Sequence, residues 1–143
     1  MQIPDAEAMQ AFNRTVVEEF RSNGGKVGGQ FEGADLLLLT TTGAKSRQQR
    51  LTPLAYLRID GRLIIIGSYA GADIHPAWVH NLRAYPRAKV ELGTTSFDVI
   101  AFELPAAERD EIFSRIISVA PGFADYQART TRVIPIFELQ RIR

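Results

Sequence analysis

Apolar residues recur at three- and four-residue spacing near the start of the chain (Met9, Phe12, Val16, Phe20), and Gly24-Gly25 closes the segment. With Asp5 as a plausible cap, this predicts an amphipathic helix from Asp5 to about Ser22. Its polar face mixes Glu18, Glu19 and Arg21, which favours packing on the body of the protein over a membrane surface. A glycine-rich loop follows, from Gly24 to Gly33. The pattern then turns to strand character over Leu36–Thr42, Leu51–Ile59, Arg62–Ser68, Ala88–Leu92, Ser96–Leu104 and Ile134–Leu139. Asp60-Gly61 is a two-residue hairpin signal, and Gly93-Thr94 joins another pair. Two helices interrupt the strands, one from Pro76 to about Ala84 and one from Pro105 to Ala120. The second carries Glu108, Asp110 and Glu111 early and Arg115 later, the polarity its dipole favours. Hairpin-linked strands with few helices between them predict an α+β fold with a mostly antiparallel sheet curled into a small barrel. Regular strand–helix alternation is missing, so a Rossmann arrangement is excluded.

Composition narrows the picture. The chain has 143 residues, 45% hydrophobic and 23% charged, which suits one soluble globular domain spanning 1–143: a helix over 1–25 and a barrel core over 28–140. The net charge of +1 offers no field for nucleic acid. Zero cysteines remove disulfides, thiolate nucleophiles and cysteine-ligated zinc, and two histidines exclude a histidine-rich metal site; no metal is expected. The apolar runs Leu36–Leu39 and Leu63–Ile66 are strand-length, far below the roughly 20 residues of a membrane helix. The N-terminus lacks a signal core, so the expected location is cytoplasmic, without stable membrane insertion and with peripheral membrane contact through the first helix as the alternative. The expected state is a monomer or weak homodimer.

The segment Thr40-Thr41-Thr42-Gly43-Ala44-Lys45-Ser46-Arg47-Gln48-Gln49-Arg50 concentrates candidate chemistry. No acidic residue lies between Asp35 and Asp60. Turn N–H groups, hydroxyls and the cations Lys45, Arg47 and Arg50 suit an anion such as phosphate or carboxylate, with a solvated basic hairpin as the competing reading. It is not a P-loop, because Ala44 and Leu39 occupy glycine positions and Thr52-Pro53 blocks a following helix. Gly67-Ser68-Tyr69-Ala70-Gly71 ends a buried strand, and its small residues let a flat ligand approach the backbone. In His75-Pro76-Ala77-Trp78-Val79-His80-Asn81-Leu82, Trp78 and Leu82 share a helix face that points to the core. Asn81 beside them can hydrogen-bond a heterocycle edge. The two histidines lie about 140° apart around a helix and cannot jointly grip a metal. Phe123 and Tyr126 fit either an aromatic lid or packing against the barrel. No paired carboxylates or Ser-His-Asp set is present, so a bound redox cofactor is the best fit to these parts.

Leu37-Leu38-Leu39-Thr40-Thr41-Thr42-Gly43-Ala44-Lys45-Ser46, Arg50, and Thr52-Pro53-Leu54 together resemble the deazaflavin-dependent nitroreductase and quinone reductase family of actinobacteria. Gly28-Gly29-Gln30-Phe31, His75-Pro76-Ala77-Trp78 with Asn81-Leu82, and Asp125-Tyr126-Gln127 with Ile134-Pro135 match it in order and spacing, over roughly residues 28 to 140. The resemblance implies a split antiparallel β-barrel of the flavin-mononucleotide-binding type, with reduced 8-hydroxy-5-deazaflavin (coenzyme F-420) as cofactor. By that resemblance Gly43, Ala44, Lys45, Ser46, Arg50 and Thr52 hold the coenzyme's phosphate and acidic tail. Pro53, Leu54, Ile66, Gly67, Ala70 and Gly71 line its ring, with Trp78 and Asn81 nearby. Ser68, Tyr69, Phe123 and Tyr126 face a small-molecule substrate, Ser68 or Tyr126 serving as proton donor. Arg47 stands where glycine is common in the family. Ala55, Ala120 and Phe123 stand where members that activate nitroimidazole prodrugs carry tyrosines, which favours quinones and the unsaturated lactones of coumarins and furanocoumarin toxins over nitro compounds. The alternative function is a carrier of flavin mononucleotide or another flat ligand, without turnover.

Overall fold

The computed structural model describes residues 6–28 and 35–142. The predicted cap Asp5 and residues 29–33 of the glycine-rich loop, with Gly29-Gln30-Phe31 among them, lie outside them, as does the Met9 side chain. The helices are α1 (Ala6–Ser22), α2 (Ala77–Ala84), α3 (Ala106–Val119) and α4 (Gly122–Ala128). The strands are β1 (Leu36–Thr42), β2 (Gln49–Ala55), β3 (Leu57–Ile59), β4 (Arg62–Ile66), β5 (Arg87–Leu92), β6 (Thr95–Glu103) and β7 (Ile136–Arg141).

All seven strands pair antiparallel in the order β2-β1-β5-β6-β7-β4-β3. The two end strands of that order, β2 and β3, are separated in the chain by Tyr56 alone. A flat sheet would place them at opposite edges, so the sheet must curl until its edges meet at this corner. No ladder joins them there, and the barrel stays split between β2 and β3. The predicted single strand Leu51–Ile59 is therefore two strands, broken where the Tyr56 N–H donates to the Asp35 carbonyl (3.1 Å). Pro53 sits within β2, which is tolerated because an end strand has one side with no ladder to supply.

Side-chain alternation sorts the core into three layers. Leu37 and Leu39 of β1, Leu63 and Ile65 of β4, and Phe137 and Leu139 of β7 fill the barrel interior, which α2 plugs with Trp78, Val79 and Leu82. The opposite face of β1, Leu36 and Leu38, meets Val16, Val17 and Phe20 of α1. Val16, Val17 and Phe20 of α1 are thus spent inside the protein, whereas Phe12 of the same stripe is 44% exposed. On the far side Ile64 and Ile136 meet Ile112 and Ile116 of α3. Burial on both faces explains why β1 reads as an unbroken leucine run instead of alternating. Among the described residues no helix is long and apolar enough to cross a membrane.

Asp60 (φ 52°) and Gly61 (φ 77°) are both left-handed, the geometry of the predicted two-residue hairpin between β3 and β4. The sequence offered no helical period at 122–128, and Pro121-Gly122 reads as a turn; α4 is missed for that reason. It places Phe123 and Tyr126 edge to face, with ring centroids 5.7 Å apart.

Candidate functional site

A cleft of about 1430 Å³ opens between α1, the β1–β2 loop, β2, the end of β4 and the start of α2. Its basic end is the loop 43–48. The Gly43 N–H donates to Gln48 O (2.8 Å), the Arg47 N–H to Gly43 O (2.9 Å) and the Gln48 N–H to Ser46 Oγ (3.2 Å). The Ala44 N–H is held from α2 by Asn81 Oδ1 (2.9 Å), whose Nδ2 donates to Thr41 Oγ1 (3.0 Å). Gly43 has no room for a Cβ, which would collide with Ser46 Oγ. Lys45, Arg47 and Arg50 form no ion pair among the described residues, whereas Arg21, Arg62, Arg83, Arg87 and Arg115 each hold a carboxylate from a different element. Uncompensated cations on a fixed loop suit an external anion. Arg47 is left-handed (φ 61°), the conformation glycine adopts freely.

The opposite end is apolar. Pro53 and Leu54 of β2, Ile66 at the end of β4, Ala70 and the edge of Trp78 line it. Trp78 is 4% exposed and packs edge to face on Phe137 at 5.7 Å, so its ring is rigidly set. Ser68 and Tyr69 bring hydroxyls to this region, and Phe123 closes it from α4.

Fifteen of the sequence-derived positions thus border one cleft: Gly43, Ala44, Lys45, Ser46, Arg50, Thr52, Pro53, Leu54, Ile66, Ser68, Tyr69, Ala70, Trp78, Asn81 and Phe123. Three do not. Gly67 is buried, and a Cβ there would meet Val79 at 2.8 Å and Pro135 at 3.0 Å. Gly71 (φ 79°) packs under the Tyr126 carbonyl and Arg129. The Tyr126 ring lies against Phe123 and beneath the Arg129 guanidinium, 5.7 Å from its centroid. Both ends of the Asn81 amide bond the protein itself, so its place is to fix the cradle loop. Ala55 borders the cleft and Ala120 does not.

The sequence reading missed α1 as a wall. Gln10, Asn13, Arg14, Val17, Glu18 and Arg21 line the cleft. These positions are spaced by three, one, three, one and three, a helical stripe beside the apolar one, and that spacing was the available signal. The reading also missed Arg132, which donates to the carbonyls of Gly67, Ser68 and Ala72 and to His75 Nδ1. Burial first, then the charges of Arg132, Arg83 and His80, hold His75 below its ordinary pKa, with Glu103 opposing. His75 and His80 stand edge to face at 5.7 Å, and no group of potential metal ligands occurs among the described residues.

Tyr69 (φ 46°) and Ala70 (φ 54°) are left-handed in succession, at about 1–2 kcal/mol each for residues with a Cβ. Such strain in a cleft wall is held by the surrounding packing.

A cleft with a basic, hydroxyl-rich end and an apolar, aromatic end fits a molecule that joins an anionic tail to a flat ring. The sequence profile of the F420H(2)-dependent quinone reductase family matches residues 12–141. An F420H(2)-dependent quinone reductase of Mycobacterium tuberculosis is 36% identical over 128 residues, 85% of each chain. A solved F420-H2 dependent reductase is 34% identical with a TM-score of 0.65, covering 74% of this chain and 94% of its own. A further solved structure, described as a domain-swapped dimer, is 31% identical with a TM-score of 0.68, covering 92% and 98%. The chain belongs to the family of F420H(2)-dependent quinone reductases.

Proposed function

We propose that the cleft seats reduced coenzyme F-420 with its phosphate and acidic tail on the 43–50 cradle and its ring on the apolar end, where electron-poor conjugated substrates are reduced. Family membership makes the protein an oxidoreductase with this cofactor, not a passive carrier of a flat ligand. When bound, the coenzyme supplies two electrons as a hydride equivalent. This chain binds, orients and protonates. Lys45 and Arg50 neutralise the tail, with Arg14 facing them from α1. Pro53, Leu54, Ile66 and Trp78 exclude water from the ring, and Ala70 leaves room for it. Ser68 and Tyr69 line the apolar end, and their hydroxyls supply the proton that completes the reduction. Tyr126, set behind Phe123, acts on the substrate only by holding that ring.

Quinones are the first substrate class, because a flat ring stacks on the apolar end and needs no anion site of its own. Unsaturated lactones of the coumarin type follow by the same shape. The small Ala55 at the cleft edge leaves the mouth open to such broad rings. Nitroimidazoles lack the phenolic partners that this chain replaces with Ala55 and Phe123.

The observation that carries this reading is the unpaired Lys45–Arg50 cradle in the same cleft as the Trp78 edge. Fluorescence titration of Lys45→Ala/Arg50→Ala with coenzyme F-420 tests it, with flavin mononucleotide in parallel. Each lost charge-assisted contact should cost about 1.5–3 kcal/mol of binding. Unchanged affinity in the double variant removes the cradle from the site. Turnover with a naphthoquinone, coumarin and a nitroimidazole then ranks the substrate classes.

A further inference from the structure

Tyr69 and Ala70, in the wall of the cleft, form one left-handed turn with Gly71 behind them, with φ of 46°, 54° and 79°. The Gly71 N–H donates to Ser68 O (2.9 Å) and the Ala72 N–H to Tyr69 O (3.0 Å). Two of the three residues carry a Cβ that opposes this conformation, so neighbouring groups must hold it. One side chain brackets the turn from both ends. Arg132 Nη1 donates to Gly67 O (3.1 Å) and Nη2 to Ser68 O (2.9 Å), before the turn. After it, Nε donates to Ala72 O (2.7 Å) and Nη1 lies 2.9 Å from His75 Nδ1. No carboxylate among the described residues forms an ion pair with this guanidinium. Because a guanidinium N–H only donates, His75 Nδ1 accepts in this contact and the ring proton sits on Nε2.

Arg132 is itself anchored. Gln127 Nε2 of α4 donates to the Arg132 carbonyl (2.7 Å), and Gln127 Oε1 accepts from Arg109 Nη2 (2.7 Å) and the Ile134 N–H (3.0 Å). Arg109 is buried on α3 and also donates to Ile134 O (2.9 Å). A continuous line of polar contacts therefore runs from α3 through α4 to the cleft wall.

We propose that Arg132, which does not border the cleft, is a positioning residue for the reduction: its planar fork holds the left-handed turn so that Ser68, Tyr69 and Ala70 meet ring and substrate in one fixed arrangement. The inference rests on the cleft being the coenzyme site. Lysine cannot replace it, because an ammonium has no planar array to reach three carbonyls and a ring nitrogen together.

The test compares Arg132→Lys and Arg132→Gln, each with and without Ala70→Gly, using reduced coenzyme F-420 and a naphthoquinone well below the unfolding temperature. Misplaced reacting groups should lower kcat by about tenfold or more. Coenzyme affinity, set largely by the cradle on another wall, should change by less than about threefold. Ala70→Gly should recover about threefold or more of kcat relative to its own single-variant reference, since glycine takes the left-handed conformation without the clamp. A lowered Tm with unchanged kcat overturns the proposal. So does a loss of kcat that Ala70→Gly leaves unrecovered. If Arg132→Gln does not fold, the Arg132→Lys pair decides between these outcomes by the same readouts. Lys45→Ala/Arg50→Ala, titrated alongside, reports on the cleft assignment separately, through coenzyme affinity and not kcat.

Discussion

Replacing Asn81 by leucine isolates what one buried amide contributes to the fold and to the readiness of the anion cradle. Asn81 is 6% exposed and ties α2 to the β1–β2 loop through Thr41 Oγ1 and the Ala44 N–H. Leucine matches the branching of asparagine and is a better helix former, so no cavity or propensity cost arises, and its bulkier methyls can only add an overpacking cost. What remains is a pair of orphaned polar groups. The Thr41 hydroxyl is 1% exposed and has no route to water, at about 1–3 kcal/mol for an unsatisfied buried group. The Ala44 N–H is only part-buried, recovers some hydration, and falls at the low end of that range. The sum is about 2–4 kcal/mol, a sizeable part of a total of about 5–15 kcal/mol. With a urea slope of about 2 kcal/mol/M, the unfolding midpoint should fall by about 1–2 M with the slope unchanged. Coenzyme binding should weaken by about three- to tenfold, because the loop must then be ordered on binding. Asn81→Asp separates the two effects. The carboxylate can accept from both the Thr41 hydroxyl and the Ala44 N–H, so stability returns, while its negative charge beside the cradle weakens coenzyme binding further. A midpoint within about 0.3 M of wild type for Asn81→Leu would refute the reasoning.

Arg47→Gly should stabilise the protein by about 0.5–1 kcal/mol, since relief of a left-handed residue outweighs the extra freedom of glycine in the unfolded chain; a calorimetric Tm below wild type would show that the Arg47 side chain contributes more than its strain costs. Stability should also fall with pH below about 6.5, the unfolded-state value for histidine. His75 has a lowered folded-state pKa, so the unfolded chain takes up the proton first, and the loss continues until pH drops through the folded value. The shifted carboxylates Glu91 and Glu103 lose their stabilisation only below their ordinary value of 4.5, at more acid pH. Urea midpoints between about pH 7.5 and 5 should therefore slope less in His75→Phe than in wild type; equal slopes would remove His75 as the cause.

Local signals carried the parts of the molecule that local physics decides. The Asp60-Gly61 turn, the leucine run of β1, the stripes of α1 and the absence of acids around Lys45 each have their cause within a few residues. The split of Leu51–Ile59 into two strands does not, because the break at Tyr56 is imposed by Asp35 across the corner. Arg132 was invisible for a similar reason. Its four acceptors lie about sixty residues earlier in the chain, and an arginine in a polar segment gives no sign of folding inward. Asn81 was noticed but assigned outward, toward a ligand, when its partners Thr41 and Ala44 are internal. Polar side chains that position a site are the hardest to find in a sequence, since the backbone groups they hold have no letter of their own.

The topology that hid the corner also makes the cleft. Because β2 and β3 do not pair, the outer side of β2 has no neighbouring strand, and the cleft borders β2 from Gln49 to Ala55. A closed barrel would have covered that side with a ladder, and Pro53 would have left one of its hydrogen bonds unmade. Proline is compatible with this strand only because the barrel is open beside it, and it presents an apolar surface without an N–H that would need water. The same open side lets α1 lie along the cleft with Arg14 in its wall, while Val16, Val17 and Phe20 stay buried on β1. A proline inside a strand pattern, next to a basic loop, was thus the sequence's trace of an unpaired edge beside a cleft.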